Sequence, residues 1–408
     1  MTSKVVLIIV LVGVVISLMT VANYRFSLQQ PGGNDFLARW TGAHYWLVRG
    51  TNPYDPEVSV AAQRMIYGRA ADPEMGEDVA HFVYPLPAML FFGPFGLLSY
   101  PLARALWMTL LEIGLPVLVF LSLRTLTWSP SKGLVSAFVL FSIFWYHGVR
   151  AIIVGQFAIL EAVLMVLSLL LYRQRRDLMS GVVLALTIAK PQMAFLYIPC
   201  MILHGAVNRR WRFVLSAGMA FIFLMLLAEV LLPGWIGDWL RQLQEYPAYT
   251  SIGSPVSIMA GFLPVGRGVF NLAITMLLAA GLLWSWLRVF MQVDDTFLFA
   301  VMLTLVVTNL VAFRTATTNY VVLLPVLLYI FRDWSTRHAR MGTAIVFSTL
   351  LVLLVGIWIL FLTTVDGNVE GPLPYLPLPL FTLLGLLTTA WRSPTVIETS
   401  APGGGALH

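Results

Sequence analysis

The sequence predicts an all-α polytopic membrane protein with about twelve transmembrane helices. Of its 408 residues, 59% are hydrophobic and only 11% are charged. Soluble domains are about 45–50% apolar and about 25% charged, and a soluble core of this length could not bury so much apolar surface. Apolar runs long enough to cross a bilayer also recur along the chain. These observations exclude a soluble enzyme, a nucleic-acid-binding domain and a disordered chain.

The apolar runs define the candidate crossings. In chain order they are 5–23, 84–98, 101–123, 133–149, 151–172, 178–204, 213–232, 266–290, 296–313, 318–332, 341–363 and 373–391. The first run is too long for the apolar region of a typical signal peptide and is followed by a poor cleavage site. It is therefore predicted to be an uncleaved transmembrane helix.

Basic clusters set the predicted orientation, because Lys and Arg concentrate in short cytoplasmic loops. Residues 173–176 and 208–212 are both strongly basic, so both are expected in the cytoplasm. The run 178–204 between them must then enter the membrane and return. Proline breaks helices, and Pro191 follows Lys190. We predict two short helices that meet at Lys190 on the outer side.

The run 84–98 is short and contains three prolines. We predict a half-membrane or interfacial helix there, which leaves Arg124 and Lys132 inside, as the charge rule prefers. The basic segment 332–340 then also lies inside, and both termini are cytoplasmic. Residues 1–395 form one integral membrane domain, and the Gly-rich tail 396–408 is predicted to be disordered.

The largest predicted outer loop spans 24–83 and begins with an amphipathic helix that ends near Gly50. Its apolar stripe has helical spacing, which suggests a helix lying on the outer membrane surface. The stripe is Phe36, Leu37, Trp40, Ala43, Trp46 and Leu47. Asp35 stands at the helix start, where it is either an N-cap or a general base. If it is only a cap, the base should be sought among the other loop acids, Asp55, Asp72, Glu74, Glu77 and Asp78.

Four cationic or potentially cationic residues are predicted on the outer side, namely His147, Arg150, Lys190 and Arg314. Each alone could extend toward lipid headgroups. Together they oppose the expected charge bias and therefore indicate an anionic ligand, most simply a lipid phosphate. Glu161, inside a helix, is interpreted as a structural hydrogen-bonding residue.

Motifs for several other chemistries are absent from the sequence. It has no phosphate-binding Walker loop, zinc-binding His pair, dinucleotide fingerprint or nucleophile elbow. Its one cysteine, Cys200, permits no intramolecular disulfide. No metal or cofactor is predicted. The net charge of +6 is attributed to cytoplasmic loops, and no nucleic-acid partner is expected.

Several short motifs, in order, resemble glycosyltransferase family 87, and the resemblance covers roughly residues 5–330. They are Asn34-Asp35-Phe36, Tyr45-Trp46, Gly50-Thr51-Asn52-Pro53-Tyr54-Asp55, Phe82-Val83-Tyr84-Pro85-Leu86-Pro87, Ala105-Leu106-Trp107, Gly155-Gln156-Phe157 and Ala189-Lys190-Pro191. The resemblance implies a GT-C-like fold with juxtamembrane helices in the first outer loop. It also implies a polyprenyl-phosphate-linked sugar donor, commonly mannose or arabinofuranose, used at the outer face of the cell membrane.

The resemblance further implies roles for individual residues. Asp35 matches the family's catalytic base, and the four outer cationic residues would bind the donor phosphate. The residues expected to line the substrate site are His44, His81, Tyr84, Gln156, Asn319 and Tyr320. The acceptor would be a lipid-linked or glycan hydroxyl. A histidine expected near 314–320 is absent, which leaves the sugar and the acceptor open.

A non-catalytic transporter or lipid flippase is the alternative, since such proteins also use broken helices and buried charge. A transporter needs no acidic residue on an outer amphipathic helix, and no inverted repeat is evident in the sequence. Both features favour the enzyme.

Overall fold

The computed structural model describes residues 3–30, 32–72, 75, 77–249, 253–289, 295–312, 315–337, 341–367 and 370–391. This part of the chain is helical and contains no β-strand, so the predicted all-α class is confirmed. The predicted tail 396–408 lies outside the described residues.

The first half of the chain carries eight α-helices. They are α1 (Ser3–Gln29), α2 (Asn34–His44), α3 (Pro56–Tyr67), α4 (Met89–Gly96), α5 (Tyr100–Thr125), α6 (Lys132–Phe144), α7 (Tyr146–Val154) and α8 (Ala158–Arg173). A π-helical turn (Tyr45–Arg49) extends α2, and a 3-10 turn (Leu86–Ala88) precedes α4.

The described part of the second half adds α9 to α19. They are α9 (Asp177–Leu186), α10 (Pro191–Ala194), α11 (Tyr197–Val207), α12 (Trp211–Leu231), α13 (Trp235–Tyr249), α14 (Pro255–Gly261), α15 (Arg267–Val289), α16 (Asp295–Val311), α17 (Leu324–Arg337), α18 (Gly342–Thr364) and α19 (Pro377–Trp391). Three further 3-10 segments are Thr187–Ala189, Thr317–Leu323 and Leu373–Tyr375.

Among the described residues, five helices are long and apolar enough to cross a membrane, namely α1, α5, α12, α15 and α18. The pair α6 and α7 could form a sixth span, bent by 46° at Trp145. The other apolar helices are shorter. Membrane spanning is thus supported, while the count of about twelve crossings and the orientation stay predictions.

Helix α5 lies at the centre of the packing and contacts α1, α6, α8 and α17. Helix α9 packs closely along α12 at Gly181, where a Cβ atom would lie 2.0 Å from Ser216 Oγ. Small residues allow such close approach between helices in membranes. The protein core therefore runs continuously from the first-loop helices through α5 to α17.

Three sequence predictions need correction. Most of the apolar stripe of α2 packs inside the protein, because Phe36, Leu37 and Ala43 are almost completely buried, whereas Leu47 in the π-helical turn is 45% exposed. The structure has three helices where the sequence predicted two, in the runs 133–149 and 151–172. The helices are α6, α7 and α8, because the chain breaks both at Trp145 and after Val154. Residues 318–332 begin as a 3-10 segment rather than an α-helix. The predicted first-loop helix ending at Gly50 is confirmed.

The orientation can be tested by cysteine labelling from outside intact cells. Native Cys200 is buried, so background labelling should be low. We expect an impermeant maleimide to label Ala70→Cys in the first outer loop but not Gln174→Cys, because the 173–176 cluster should stay in the cytoplasm. Both positions are exposed on the protein. Labelling of Gln174→Cys without membrane permeabilisation would overturn the orientation.

Candidate functional site

The start of α2 is held against α5 by a buried arginine. Arg104 of α5 donates hydrogen bonds to the carbonyls of Gln30 and Ile153. Gly33 packs on its guanidinium, and a Cβ atom there would lie 2.6 Å from Arg104 Nε. Gly33 also has a left-handed φ of 88°, a conformation that costs glycine little. Arg104 and Gly33 therefore position the first turn of α2.

Asp35 lies in that first turn, and the N-cap interpretation of its side chain is wrong. The N-cap residue is Gly33, whose carbonyl accepts from the backbone N–H groups of Phe36 and Leu37. The Asp35 carboxylate instead pairs with Arg39 one turn later, at 3.7 Å. Its side chain is 35% exposed. The positive end of the helix dipole favours a carboxylate at this place while leaving it open to a ligand.

Lys190 occupies the predicted break in the run 178–204, which is confirmed. It lies between the 3-10 turn Thr187–Ala189 and α10, which begins at Pro191. The side chain is buried. Its ammonium group donates to Gln156 Oε1 at 2.5 Å and to Asn319 Oδ1 at 2.7 Å. An ammonium group has three N–H donors, and within the described part of the chain two neutral acceptors, Gln156 and Asn319, bind it.

Tyr84 and Arg39 connect Lys190 to the first outer loop. The Tyr84 hydroxyl donates to Gln156 Oε1 at 3.1 Å, the same oxygen that Lys190 contacts. The Arg39 guanidinium lies over the Tyr84 ring, 4.7 Å from its centroid. Asp35 and Arg39 are also close enough to Lys190 to act on its charge.

We call this group the Lys190 centre, and it brings together five of the predicted site residues with Arg39, which sequence reasoning did not select. Its members are Asp35, Arg39, Tyr84, Gln156, Lys190 and Asn319. They come from the first outer loop, the turn after α7, the α9–α10 break and the 3-10 segment before α17.

Glu161 of α8 lies on the protein side of the Lys190 centre. It is completely buried, and within the described chain neither carboxylate oxygen has a hydrogen-bond partner. Its interpretation as a hydrogen-bonding residue is therefore wrong.

A second carboxylate, Asp78, lies beside Asp35 in the first outer loop. Partial desolvation of its carboxylate raises the pKa of Asp78. The hydrogen bond from the Ala80 N–H lowers this pKa, Asp35 raises it, and Arg39 and His81 lower it.

The predicted site residue His81 lies next to Asp78 but contacts other groups. Its Nδ1 is 2.7 Å from Ser59 Oγ, and its Nε2 is 3.3 Å from Glu245 Oε2 on α13. Burial lowers the pKa of His81, while Glu245 and Asp78 raise it. His81 thus links the segment between α3 and α4 to Ser59 of α3 and to Glu245 of α13.

The described members of the predicted outer cationic set, His147, Arg150 and Lys190, have different partners. Arg150 Nη2 lies 3.8 Å from Glu370 Oε2, a carboxylate that also accepts from the hydroxyls of Tyr146, Thr317 and Tyr375. Glu370 therefore ties the segment between α18 and the 3-10 turn Leu373–Tyr375 to α7 and to the 3-10 segment before α17. Arg150 lies in α7 with a carboxylate partner, separate from Lys190.

His147 and Tyr320 pack beside the Glu370 cluster. His147 is completely buried, with the rings of Trp145 and Tyr320 at 5.2 and 5.3 Å. The Tyr320 hydroxyl donates to the Tyr375 carbonyl at 3.0 Å. Within the described chain neither side chain contacts Lys190, so their predicted ligand contacts stay predictions. Arg314 lies outside the described residues.

His44 is not part of the Lys190 centre. It lies nine residues after Asp35, which at about 100° per residue puts it on the opposite face of α2. Its Nδ1 is 2.8 Å from the Gly96 carbonyl, and its ring stacks on Trp40 at 4.9 Å. The predicted substrate contact of His44 therefore requires a site other than the Lys190 centre.

The chemistry of the Lys190 centre follows from its groups. A partly exposed carboxylate can accept a proton, and a buried ammonium group can stabilise an anion. Within the described chain, no three His, Cys, Asp or Glu residues form a group that could hold a metal ion. The centre therefore combines a partly exposed carboxylate with a buried ammonium group.

A comparison of the sequence with models of known protein families shows which family this chain belongs to. The sequence model of glycosyltransferase family 87 matches residues 82–313, more than half of the chain. This chain belongs to glycosyltransferase family 87. The family 87 match includes Tyr84, Gln156 and Lys190, while Asp35 and Asn319 lie outside it. No curated protein and no solved structure matches the sequence significantly.

The structure gives three residues of this family 87 protein contacts or charge interactions near the predicted site residues, and the sequence did not single them out for these roles. They are Arg39, Asp78 and Glu370. Arg39 could have been identified from the sequence, because it follows Asp35 by four residues on the predicted helix, and opposite charges at that spacing can pair. Asp78 was considered only as one of several alternative bases. Glu370 had no signal, because its partners are separated from it by as many as 224 residues.

Proposed function

We propose that this family 87 protein transfers a sugar from a polyprenyl-phosphate donor to a hydroxyl of a lipid-linked or glycan acceptor. We propose mannose as the first sugar to test. The reaction would take place at the outer face of the cell membrane, in a GT-C fold. The short helices α2 to α4, between the spans α1 and α5, support such a layout.

The observation that carries the proposal is the connection between Asp35 and Lys190. The carboxylate of Asp35 and the ammonium of Lys190 are linked through Arg39, Tyr84 and Gln156. A phosphate-bearing donor and a hydroxyl acceptor need one cation and one base, and this group offers both. Family membership favours transfer of a sugar over the transporter alternative.

The proposed step is a single displacement. The acceptor oxygen bonds to the anomeric carbon as the bond from that carbon to the phosphate oxygen breaks, with inversion. Asp35 accepts the proton of the acceptor hydroxyl. The polyprenyl phosphate leaves with one more negative charge, which Lys190 stabilises. Arg150, Arg314 and His147 remain proposed phosphate contacts, secondary to Lys190 because Arg150 already pairs with Glu370.

No metal or cofactor is proposed for this reaction, since a lipid-phosphate sugar carries its own leaving group and Lys190 supplies positive charge. The proposal is tested by incubating the purified protein with a panel of short-chain polyprenyl-phosphate sugars and candidate acceptors. We expect one donor to yield polyprenyl phosphate and a glycoside of inverted configuration, with undiminished rate in EDTA. Movement of the donor across liposomes without sugar transfer would instead support the transporter.

A further inference from the structure

A second cleft lies on the face of α2 opposite Asp35. It has a volume of about 280 Å³ and opens between α2, the π-helical turn and α3. Its walls include the side chains of Trp40, His44, Tyr45, Arg49, Arg64 and Met65. None of its lining residues belongs to the Lys190 centre, and His44 lies about 13 Å further along α2 than the proposed base. The cleft is therefore separate from the Lys190 centre.

The ionisable side chains that line the cleft include basic residues and no acidic ones. Two arginines and one histidine line it. The ion pairs found among the described residues include neither Arg49 nor Arg64. The Arg49 guanidinium lies over the Tyr45 ring, 4.2 Å from its centroid. Guanidinium groups held in this way suit phosphate.

The surroundings of the cleft are apolar and exposed. Leu47 and Val48 in the π-helical turn are 45% and 56% exposed, and Met65 is 46% exposed. On the neighbouring α4, whose Gly96 contacts His44, Leu90 and the following Leu97 are also exposed. Aromatic and basic side chains beside an apolar surface are typical of a membrane interface. A phosphate in the cleft would thus have apolar protein surface beside it.

We propose that this cleft binds the phosphodiester headgroup of an anionic membrane phospholipid. Arg49 and Arg64 donate to the phosphate oxygens, and the exposed apolar side chains contact the adjoining acyl chains. Inorganic phosphate has the same charged oxygens as the headgroup. It would leave the exposed apolar side chains beside the cleft, the apolar rim (Leu47, Val48 and Met65), without a partner. The rim therefore favours the lipid over the free anion.

The test measures lipid retention by the full-length protein in detergent. Native mass spectrometry would follow phosphatidylglycerol and, separately, zwitterionic phosphatidylcholine, titrated into the micelles. We expect the unsubstituted protein to retain phosphatidylglycerol preferentially. The double variant Arg49→Gln/Arg64→Gln should bind it about tenfold more weakly, because basic residues near anionic lipids each contribute substantially to binding.

The matched control is Arg25→Gln/Arg267→Gln, which removes the same charge at two exposed positions outside the cleft. It should retain phosphatidylglycerol like the unsubstituted protein. If both double variants lost phosphatidylglycerol equally, the loss would be an effect of the protein's net charge, and the proposed site would be wrong. Equal retention of phosphatidylcholine, in which choline neutralises the phosphodiester, would show that the cleft does not select a net anionic headgroup and would overturn the proposal. Displacement of the lipid by millimolar inorganic phosphate would assign the cleft to the free anion.

Discussion

Replacing Asp35 with asparagine is expected to slow sugar transfer by about 10²–10⁴-fold while the protein stays folded and still binds the donor. A neutral amide keeps an acceptor oxygen but cannot take the proton of the acceptor hydroxyl. The backbone at this place does not depend on the side chain, since Gly33 is the N-cap. Loss of the Arg39 pair and the dipole interaction should change the free energy of unfolding by less than about 1 kcal/mol.

The measurement is single-turnover transfer at saturating donor, together with donor affinity and thermal unfolding of the same preparation. Asp55→Asn is the matched control, because Asp55 also stands at a helix start in the first outer loop but outside the Lys190 centre. It should react at the rate of the unsubstituted protein. Near-normal turnover by Asp35→Asn would move the base to Asp78, a first-loop carboxylate whose charge interacts with that of Asp35.

Replacing Lys190 with methionine is expected to lower the rate of transfer by about 10²–10³-fold, the usual cost of removing a donor that stabilises developing negative charge. Methionine approximates the length of the lysine stem without its charge. Lys190→Ala should also fail, but it leaves a cavity as well. Lys190→Arg keeps the charge and should retain part of the activity.

The structure also predicts what Lys190→Met does to stability. Gln156 Oε1 keeps its hydrogen bond from Tyr84, whereas Asn319 Oδ1 loses its donor. One unsatisfied buried acceptor costs about 1–3 kcal/mol, so unfolding must be measured beside donor kinetics. Lys132→Met, at an exposed lysine of α6, is the control. Unchanged donor kinetics in folded Lys190→Met would make Lys190 a structural residue.

Two parts of the site were predictable because their signals are local. The Lys190-Pro191 pair breaks a helix wherever the run folds, and the structure breaks there. The amphipathic pattern after Asn34 and the glycine at position 50 predicted the first-loop helix, and α2 with its π-helical turn ends at Gly50. In both cases a few neighbouring residues determine where a helix breaks or ends.

The partners of these elements were not predictable in the same way. Gln156 and Asn319 contact Lys190 across 34 and 129 residues of chain, and no periodicity encodes such contacts. The stripe of α2 illustrates the same limit. Its spacing predicts one apolar face, but it cannot distinguish lipid from protein as the surface that covers that face.

The sequence by itself determined that this protein is helical and apolar, because composition and run length decide how much surface must avoid water. It also determined the helix break at Lys190, through the missing N–H and fixed ring of proline. Only the tertiary structure decided which groups surround that lysine, that Arg150 pairs with Glu370, and that His44 contacts the Gly96 carbonyl. These contacts depend on how helices pack in three dimensions, where side chains distant in sequence meet.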